Sequence, residues 1–335
     1  MIKKVTNLKF FILFLWVLGA NSSLSQAQFK KIFKYKKIIQ DTNYVRSYYH
    51  KLTITNFFVS RFYEISLTHP ENTKSGNNYS SALPAGYALA IDYKWLALEY
   101  SFKLPFDERP TWQRTFRGGL TGKRFWIKGF WKEFRGMNKT EITFDDVFAE
   151  NNTRFREDVY SQQAYFNVLY AFNKRKYSHL AALYMVDRQM KSAGSWAVGM
   201  AFMRNYTRGD SSVIRLNPKQ ESKDDITKIG ALSVFVQGGY AHTFIFAKKK
   251  IFVNASLFPA FGVQQTRVKF VDKTTERQAI KIGFHNEAQM SLGYNDKHIF
   301  TGIRVENLFF LDDLDSKSYH NYALTQTRIF FGIRL

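Results

Sequence analysis

Apolar and polar residues alternate along most of the chain, and this period of two is typical of β-strands. The clearest case is the segment 280–294, in which even positions are apolar except for Asn286 and odd positions are polar or glycine. The segment Trp196–Phe202 repeats the pattern, with large apolar residues on one face and small residues on the other. Helical periodicity is scarce, so the sequence predicts an all-β protein.

About twelve segments show the alternation, and their uncertain boundaries allow roughly 10–14 strands. The first of them is long enough for two strands. The segments are 51–68, 85–93, 95–103, 123–135, 163–173, 177–187, 195–205, 229–246, 250–268, 278–293, 298–310 and 322–335.

The connections between these segments are of two kinds. Tight turns are predicted at 93–94, 173–176, 247–250 and 295–297. Long polar loops are predicted at 69–84, 104–122, 136–162, 206–228 and 311–321. Short turns at one rim and long loops at the other are typical of a transmembrane β-barrel. An odd number of predicted strands separates 173–176 from 247–250, however, so at least one strand or boundary is wrong.

A soluble β-sandwich also alternates, but two features favour a barrel. Many segments exceed the usual 5–6 residues of globular strands, whereas membrane strands need about 9–11. Aromatic residues also cluster near segment ends, as in the interfacial girdles of membrane barrels. The predicted fold is an antiparallel transmembrane β-barrel of about 12 strands. The aromatic pairs are Tyr93/Trp95, Phe125/Trp126, Trp131/Phe134 and Phe309/Phe310.

The N-terminus has the three parts of an export signal. Residues 1–9 carry three lysines and no acid, residues 10–20 are apolar, and the small-x-small triplet Ser25-Gln26-Ala27 follows. The apolar run is too short to span a bilayer as a helix. We therefore expect a signal peptide over 1–27 that is cleaved after Ala27, a periplasmic segment over 28–50 and a barrel over 51–335.

Composition narrows the class of protein. The 335 residues contain no cysteine, which excludes disulfides and thiolate metal sites. A mean hydropathy of −0.32 excludes a polytopic helical membrane protein, but alternating strands dilute their apolar residues with polar ones. The net charge of +22 falls to +19 without the three signal lysines. Such a charge suits nucleic acid, but export to the envelope argues against that partner.

The final segment, 322–335, is the most apolar strand. An exposed strand of this kind invites aggregation in a soluble domain. It resembles the C-terminal signal of outer-membrane barrels that the barrel-assembly machinery reads, so we expect that machinery as a partner. The apolar face comprises Ile329, Phe331, Ile333 and Leu335, and the other face carries Arg328, Gly332 and Arg334.

Several short stretches resemble an uncharacterised family of Bacteroidota outer-membrane proteins, known only as a domain of unknown function. They are the stretches at 41–45, 93–96, 170–173, 176–178, 188–195 and 239–244. The resemblance extends from about residue 40 to the end, and it implies an outer-membrane barrel with no established activity. The most specific motif comprises Arg188, Gln189, Lys191, Ser192, Ala193, Gly194 and Ser195.

Few side chains suggest catalysis. His285 and Glu287 share the polar face of one strand, because residues two apart lie on one side, and Ser291 follows. A carboxylate that orients an imidazole is half of a catalytic triad, so His285 and Glu287 are the catalytic candidates. A hydrogen-bond network in a polar lumen is the preferred interpretation. No metal site or cofactor is expected, since the acidic clusters at 145–146, 224–225 and 312–315 lack the EF-hand pattern.

Basic and polar residues on inward faces would make a lumen or binding surface that favours anions. Basic residues in the long loops would meet the phosphates of lipopolysaccharide, which we expect as a partner together with outer-membrane lipid. The lumen candidates are Lys281, Gln289, Arg304, Glu306, Arg328 and Arg334, and the loop candidates are Arg114, Arg117, Lys123 and Arg124.

The sequence thus favours a non-enzymatic outer-membrane β-barrel, which is either a pore or a binding or structural barrel with a basic interior. An outer-membrane enzyme that modifies lipid or lipopolysaccharide is one alternative. A soluble periplasmic β-protein is another.

Overall fold

The computed structural model describes residues 40–48, 51–69, 72–81, 85–94, 96–105, 111–121, 123–143, 153–215, 222–272, 276–311 and 320–335. The expected signal peptide and residues 28–39 lie outside this part of the chain. The strands are β1 (Val45–Ser47), β2 (Thr53–His69), β3 (Asn72–Ser81), β4 (Ala85–Tyr93), β5 (Leu96–Lys103), β6 (Trp112–Thr121), β7 (Phe125–Thr143), β8 (Thr153–Ala171), β9 (Asp187–Gln189), β10 (Ala193–Arg208), β11 (Ile226–Phe246), β12 (Ile251–Phe270), β13 (Glu276–Asn295), β14 (Ile299–Leu311) and β15 (His320–Arg334). One helix, α1, covers His179–Leu183.

The main sheet closes on itself, because β15 pairs with β2 from His320↔Leu67 to Arg334↔Thr53. The ring runs through β2, β4, β5, β6, β7, β8 and then β10 to β15, which makes twelve antiparallel strands. The all-β barrel of about 12 strands is therefore confirmed. Among the described residues, no helix is long and apolar enough to cross a membrane.

The number of strands in the wall differs between its two ends. β4 pairs with the first half of β2 and β3 pairs with its second half, so β3 and β4 together form one interrupted strand beside β2. The hairpin of β5 and β6 pairs with β4 and with the first half of β7. Beyond the end of that hairpin, β3 pairs directly with the second half of β7. The ring has twelve strands toward the tight turns, the lower rim, and ten toward the long loops, the upper rim.

The predicted strand count was right through two errors that offset each other. The segment 177–187 is not a strand of the wall, and the turn at 173–176 does not join two wall strands, because residues 172–192 fold inward as an insert. Its central part, residues 177–187, is buried apart from the half-buried Tyr184 and is largely apolar, which imitates a strand. Conversely, Trp112–Thr121 is a strand, although its charged and glycine residues suggested a loop. Without the false strand, two wall strands separate 172–192 from 247–250, so both connections lie at the same rim.

Apolar side chains of the strands point outward, and the side chains between them point inward. Outward side chains such as Ile280 (77% exposed) and Val236 (66%) form an apolar belt around the barrel. Their chain neighbours point inward, as Gln237 does at 2% exposed. On β15, Ile329 and Phe331 face outward while Arg328 is buried inside. The predicted period of two therefore describes a barrel wall.

Aromatic residues line the outer face near the lower rim. The rings of Phe125 and Tyr170 are 5.5 Å apart, and those of Trp196 and Tyr240 are 5.0 Å apart. This arrangement is typical of an interfacial girdle. Three of the eight predicted girdle residues point inward, because residues at odd spacing in a strand point to opposite faces, and Trp95 lies outside the described residues. Trp126, Phe134 and Phe310 are buried in the interior.

An apolar layer fills the interior near the upper rim. Tyr63 stacks on Phe134 with ring centroids 4.3 Å apart, and its ring also contacts Tyr322. Val213, from the connection between β10 and β11, enters this layer and accepts a hydrogen bond from Tyr79 Oη at 2.8 Å. Every member of the layer is at most 6% exposed. A water-filled channel would leave these side chains exposed, so the layer closes the lumen at this level.

Truncating one ring of the apolar layer tests its contribution to stability. Phe310 is 3% exposed and stacks on His285, with ring centroids 4.1 Å apart. We expect Phe310→Ala to lower the free energy of unfolding by about 3–5 kcal/mol, because it leaves a cavity. Urea unfolding in detergent micelles measures the change. The matched control is Phe309→Ala on the outward face, and equal losses for the two variants would contradict the layer.

Candidate functional site

Residues 172–192 enter the barrel from the lower rim and form a plug. Ser178 caps α1, since its Oγ accepts a hydrogen bond from the Ala181 N–H at 3.2 Å. The same hydroxyl donates to Asp187 Oδ2 at 2.6 Å, which ties the start of the helix to β9. All five residues of α1 are buried. β9 also pairs with β1, so residues 45–47 become part of the plug.

Two arginines of the barrel wall hold the end of the helix. The last carbonyls of a helix lack intrahelical partners, and Arg304 donates to the carbonyls of Ala182 (3.2 Å) and Leu183 (2.6 Å). Arg334 donates from Nε to the carbonyl of Met185 at 2.7 Å. The plug is therefore fixed by Arg304 on β14 and Arg334 on β15, and both are predicted lumen residues.

The family-like motif forms a clasp at the base of the plug. Arg188 donates to the Lys249 carbonyl at 2.8 Å and pairs with Asp296 at 2.9 Å. Gln189 donates to the Lys176 carbonyl at 2.6 Å and accepts from the Ser178 N–H at 3.0 Å. These contacts explain why arginine and glutamine occupy this stretch: both reach backbone groups that turns leave unpaired.

The rest of the motif joins the plug to β10 and β11. Ser192 Oγ accepts from the Ile245 N–H at 3.0 Å, and Ser195 Oγ accepts from the Asn173 N–H at 2.9 Å. Gly194 has no room for a Cβ, which would collide with the Tyr240 hydroxyl. Lys191 Nζ lies 5.5 Å from the centroid of the Tyr44 ring. Ala193 is buried in the lower interior. The motif is thus a structural element of the plug.

The clasp is charged at neutral pH. Asp296 lies in the turn between β13 and β14, outside the strands. A hydrogen bond from Lys250 Nζ at 2.8 Å holds the pKa of Asp296 well below its usual range. A depressed carboxylate pKa gives an interaction that is complete above the usual value of about 4 and is lost only below it. The Arg188–Asp296 pair therefore persists across physiological pH.

A charged chamber lies between the plug and the apolar layer. It contains a cavity of about 70 Å³, where about 10–15 Å³ suffices for one water. Arg328 makes two hydrogen bonds of 2.7 Å to Glu99, and Arg117 donates to Glu306 at 2.9 Å. The charged residues around the cavity are Asp92, Glu99, Arg117, Lys128, Arg304, Glu306 and Arg328.

The structure brings together some of the predicted lumen residues and separates others. Arg304, Glu306 and Arg328 line the cavity. Gln289 is 4% exposed and lies directly opposite Glu306 on β14. Lys281 lies higher on β13, opposite Gln264, and is half-buried.

His285 and Glu287 meet through a third residue that the sequence did not suggest. Tyr165 Oη lies 3.3 Å from His285 Nε2 and donates to Glu287 at 3.0 Å. Asn167 also donates to Glu287 at 3.2 Å, and Lys128 pairs with the same carboxylate. His285 is 0% exposed. The group forms a closed hydrogen-bond network above the chamber.

Ser291 does not join this network. It lies four residues beyond Glu287, about 13 Å along the strand, opposite Asn254 and Arg304. Residues of other strands supply most of the chamber, and these were missed: Glu99, Arg117 and Lys128. Glu99 on β5 and Lys128 on β7 occupy positions that alternation directs inward, so the sequence pattern could have identified both. Arg117 was assigned to a loop. The acidic clusters at 145–146 and 312–315 lie outside the described residues.

Comparison with known proteins adds a family. Residues 39–334 match the family model described as a domain of unknown function, DUF4421. The chain belongs to this family. No curated protein matches the sequence.

Solved structures with a similar fold are outer-membrane barrels. The outer membrane protease OmpT from Escherichia coli shares 8% identity, covers 86% of this chain and 97% of its own, and has a TM-score of 0.36. The translocator domain of autotransporter NalP from Neisseria meningitidis shares 8% identity with coverages of 84% and 88% and a TM-score of 0.39. The toluene transporter TodX from Pseudomonas putida shares 6% identity with coverages of 85% and 88% and a TM-score of 0.26.

Removing the arginine of the clasp tests the plug. Arg188→Ala deletes a charged pair and hydrogen bonds from a side chain that is 7% exposed. Hydrogen bonds to charged groups contribute about 1.5–3 kcal/mol, so we expect the open plug to become roughly 10- to 100-fold more populated. The rate of trypsin cleavage at Lys176 and Lys191 in the folded barrel measures this. Lys297→Ala, an exposed change at the same rim, is the control; equal cleavage of all three proteins would contradict the clasp.

Proposed function

We propose that the protein is an outer-membrane β-barrel that is closed by its own plug and serves as a binding or structural barrel without enzymatic activity. The observation that carries the proposal is the sorting of side chains across one closed wall. Apolar residues such as Val236 and Trp196 are more than 60% exposed outside, whereas inward neighbours such as Gln237 and Ser195 are buried. This distribution suits lipid outside and a filled interior.

The alternatives fit the molecule less well. A soluble periplasmic protein rarely exposes a continuous apolar belt. An open pore would need a passage through the apolar layer and the plug, and both levels are filled by buried side chains among the described residues. A catalytic triad built on His285 and Glu287 would need a serine beside the His285 ring, whose nitrogens instead lie near Tyr165 Oη and the Phe309 carbonyl.

Fractionation and electrophoresis test the barrel. We expect the protein in the outer-membrane fraction, and we expect the unheated protein to migrate differently in gels from the boiled one. Reconstituted into planar bilayers, wild-type protein should show no steady conductance. Recovery in the soluble periplasmic fraction would overturn the proposal. Steady, anion-biased conductance would overturn only the proposal that the barrel is closed, and it would support the interpretation as a pore.

A basic strip on the outer wall supports an orientation in the membrane. Outward positions of five neighbouring strands follow one another in register: Arg135 lies opposite Tyr160, Tyr160 opposite Arg208, Arg208 opposite Lys228, and Lys228 opposite Lys269. On the same face, Arg114 and Arg267 lie two residues lower and Arg204 lies four residues lower. Directly below them begins the apolar belt, with residues such as Phe202 and Val263.

We propose that this strip meets the phosphates of lipopolysaccharide, so the upper rim faces outward. Cations placed at the edge of an apolar belt lie at the level of the headgroups, and arginine pairs well with phosphate. Of the predicted lipopolysaccharide contacts, Arg114 belongs to the strip. Arg117 instead faces the chamber, and Lys123 and Arg124 lie at the lower rim beside β7. In the proposed orientation, Arg114 is therefore the one of these four residues that lies near the lipopolysaccharide phosphates.

Neutralising the strip tests the lipid contact. We expect the combined change of Arg135, Arg208, Lys228 and Lys269 to glutamine to reduce copurifying lipopolysaccharide several-fold, because four charges near the headgroups are lost. Phosphate and sugar analysis of the purified barrel measures it. The matched control neutralises Arg175, Lys248, Lys249 and Lys297 at the lower rim and should retain the wild-type amount. A similar loss in both variants would contradict the proposed orientation.

A further inference from the structure

We propose that the chamber binds one small free oxyanion with the chemistry of phosphate or sulfate. The proposal deepens the binding role of the closed barrel and rests on it. Its ligand is a free ion, because the apolar layer and the plug close the chamber above and below and exclude a lipid headgroup with attached chains.

The first argument is the balance of charge inside the wall. Six cations and four carboxylates line the cavity or lie beside it. Lys132 lies over the ring of Phe130, which lines the cavity, and Arg61 shares Gln326 with Arg117. Arg117 and Arg328 share Glu99 and Glu306, and Lys128 pairs with Glu287. A buried charge without a counter-ion is strongly unfavourable, so the surplus of two positive charges calls for an anion. The cations are Arg61, Arg117, Lys128, Lys132, Arg304 and Arg328, and the carboxylates are Asp92, Glu99, Glu287 and Glu306.

The second argument is that two cations have no carboxylate of their own. Arg61 and Lys132 are both 0% exposed. Among the described residues, neither forms an ion pair within 4.0 Å. Arg61 donates to Ser101 Oγ at 2.6 Å and to Gln326 Oε1 at 3.3 Å, and Lys132 Nζ lies 4.2 Å from the centroid of the Phe130 ring. Neutral partners such as these leave both charges uncompensated.

The third argument is a set of buried donors that lack acceptors. Arg61 Nη1, Lys132 Nζ, Gln113 Nε2 and Gln326 Nε2 are buried and have no hydrogen-bond partner in the part of the chain that the structure describes. Leaving a buried donor unpaired costs about 1–3 kcal/mol. All four are N–H donors, so a ligand that only accepts hydrogen bonds can satisfy them, and among the described residues no carboxylate accepts a hydrogen bond from any of them.

The strand register places these donors on one patch of wall. Thr115 on β6 lies directly opposite both Ser101 on β5 and Lys132 on β7. Arg61 reaches the same level through its hydrogen bond to Ser101. The Thr115 hydroxyl is itself buried and has no hydrogen-bond partner among the described residues. The serine and threonine are small, so the two long cations flank a polar surface on which a tetrahedral anion can accept from several directions.

Anion binding is tested on the purified, folded barrel in detergent with about 150 mM NaCl throughout. At this salt concentration the Debye length is about 8 Å, so weak surface binding is screened. The protein is refolded with about 1 mM radiolabelled phosphate or sulfate, because a ligand that binds only the native state is retained and stabilises it. We expect one oxyanion per barrel after desalting and a higher unfolding temperature than in chloride alone. Retention of the label by wild type at one per barrel supports the site.

Matched variants locate the ion. Arg61→Met and Lys132→Met remove the charges but keep similar volume, and we expect their combination to lose at least 10-fold of the retained label. Lys297→Met at the lower rim should retain it. Heat-modifiable migration confirms that each variant is folded, which separates failure of the site from failure of the barrel. The proposal is overturned if folded wild type retains no oxyanion, or if the double variant retains as much as wild type.

Discussion

Within a bilayer every backbone N–H and C=O must find a partner in the protein, and the rest of this molecule depends on how that demand is met. Pairing of β15 with β2 removes both free edges of the sheet. Closure leaves an interior of twelve strands' width, too wide for the inward side chains of a small barrel alone. The chain fills it with material of its own: a folded-back plug below, a layer of aromatic rings above, and charged residues between them.

The three fillings are mechanically connected. Arg304 binds the carbonyls that end the plug helix, and its guanidinium also lies 4.0 Å from Glu306 in the chamber. Arg117 links Glu306 to Glu99, and Glu99 holds Arg328. The seating of the plug and the charge state of the chamber therefore share residues.

How much the sequence predicts follows from what each pattern depends on. Alternation depends on a wall with two different sides, so the long strands such as β13 were found almost to the residue. It fails for β6, whose inward Arg117 is paired with glutamates of other strands, and for 177–187, which has no polar side because it is buried all round. His285 and Glu287 were found together because they share a strand. Tyr165 and Lys132 were not, since only closure of the ring brings their strands into contact with partners far away in the chain.

The pairing of the first and last wall strands also dictates an order of events. Ser60 lies opposite Thr327, so one edge of β2 has no partner while nearly the whole wall is being synthesised. An unpaired apolar edge is a template for aggregation, and contacts between such distant parts of a chain form slowly. The polypeptide must therefore be kept apart from its neighbours until its final segment is available. Pairing of β15 with β2 then removes the exposed edges of the sheet.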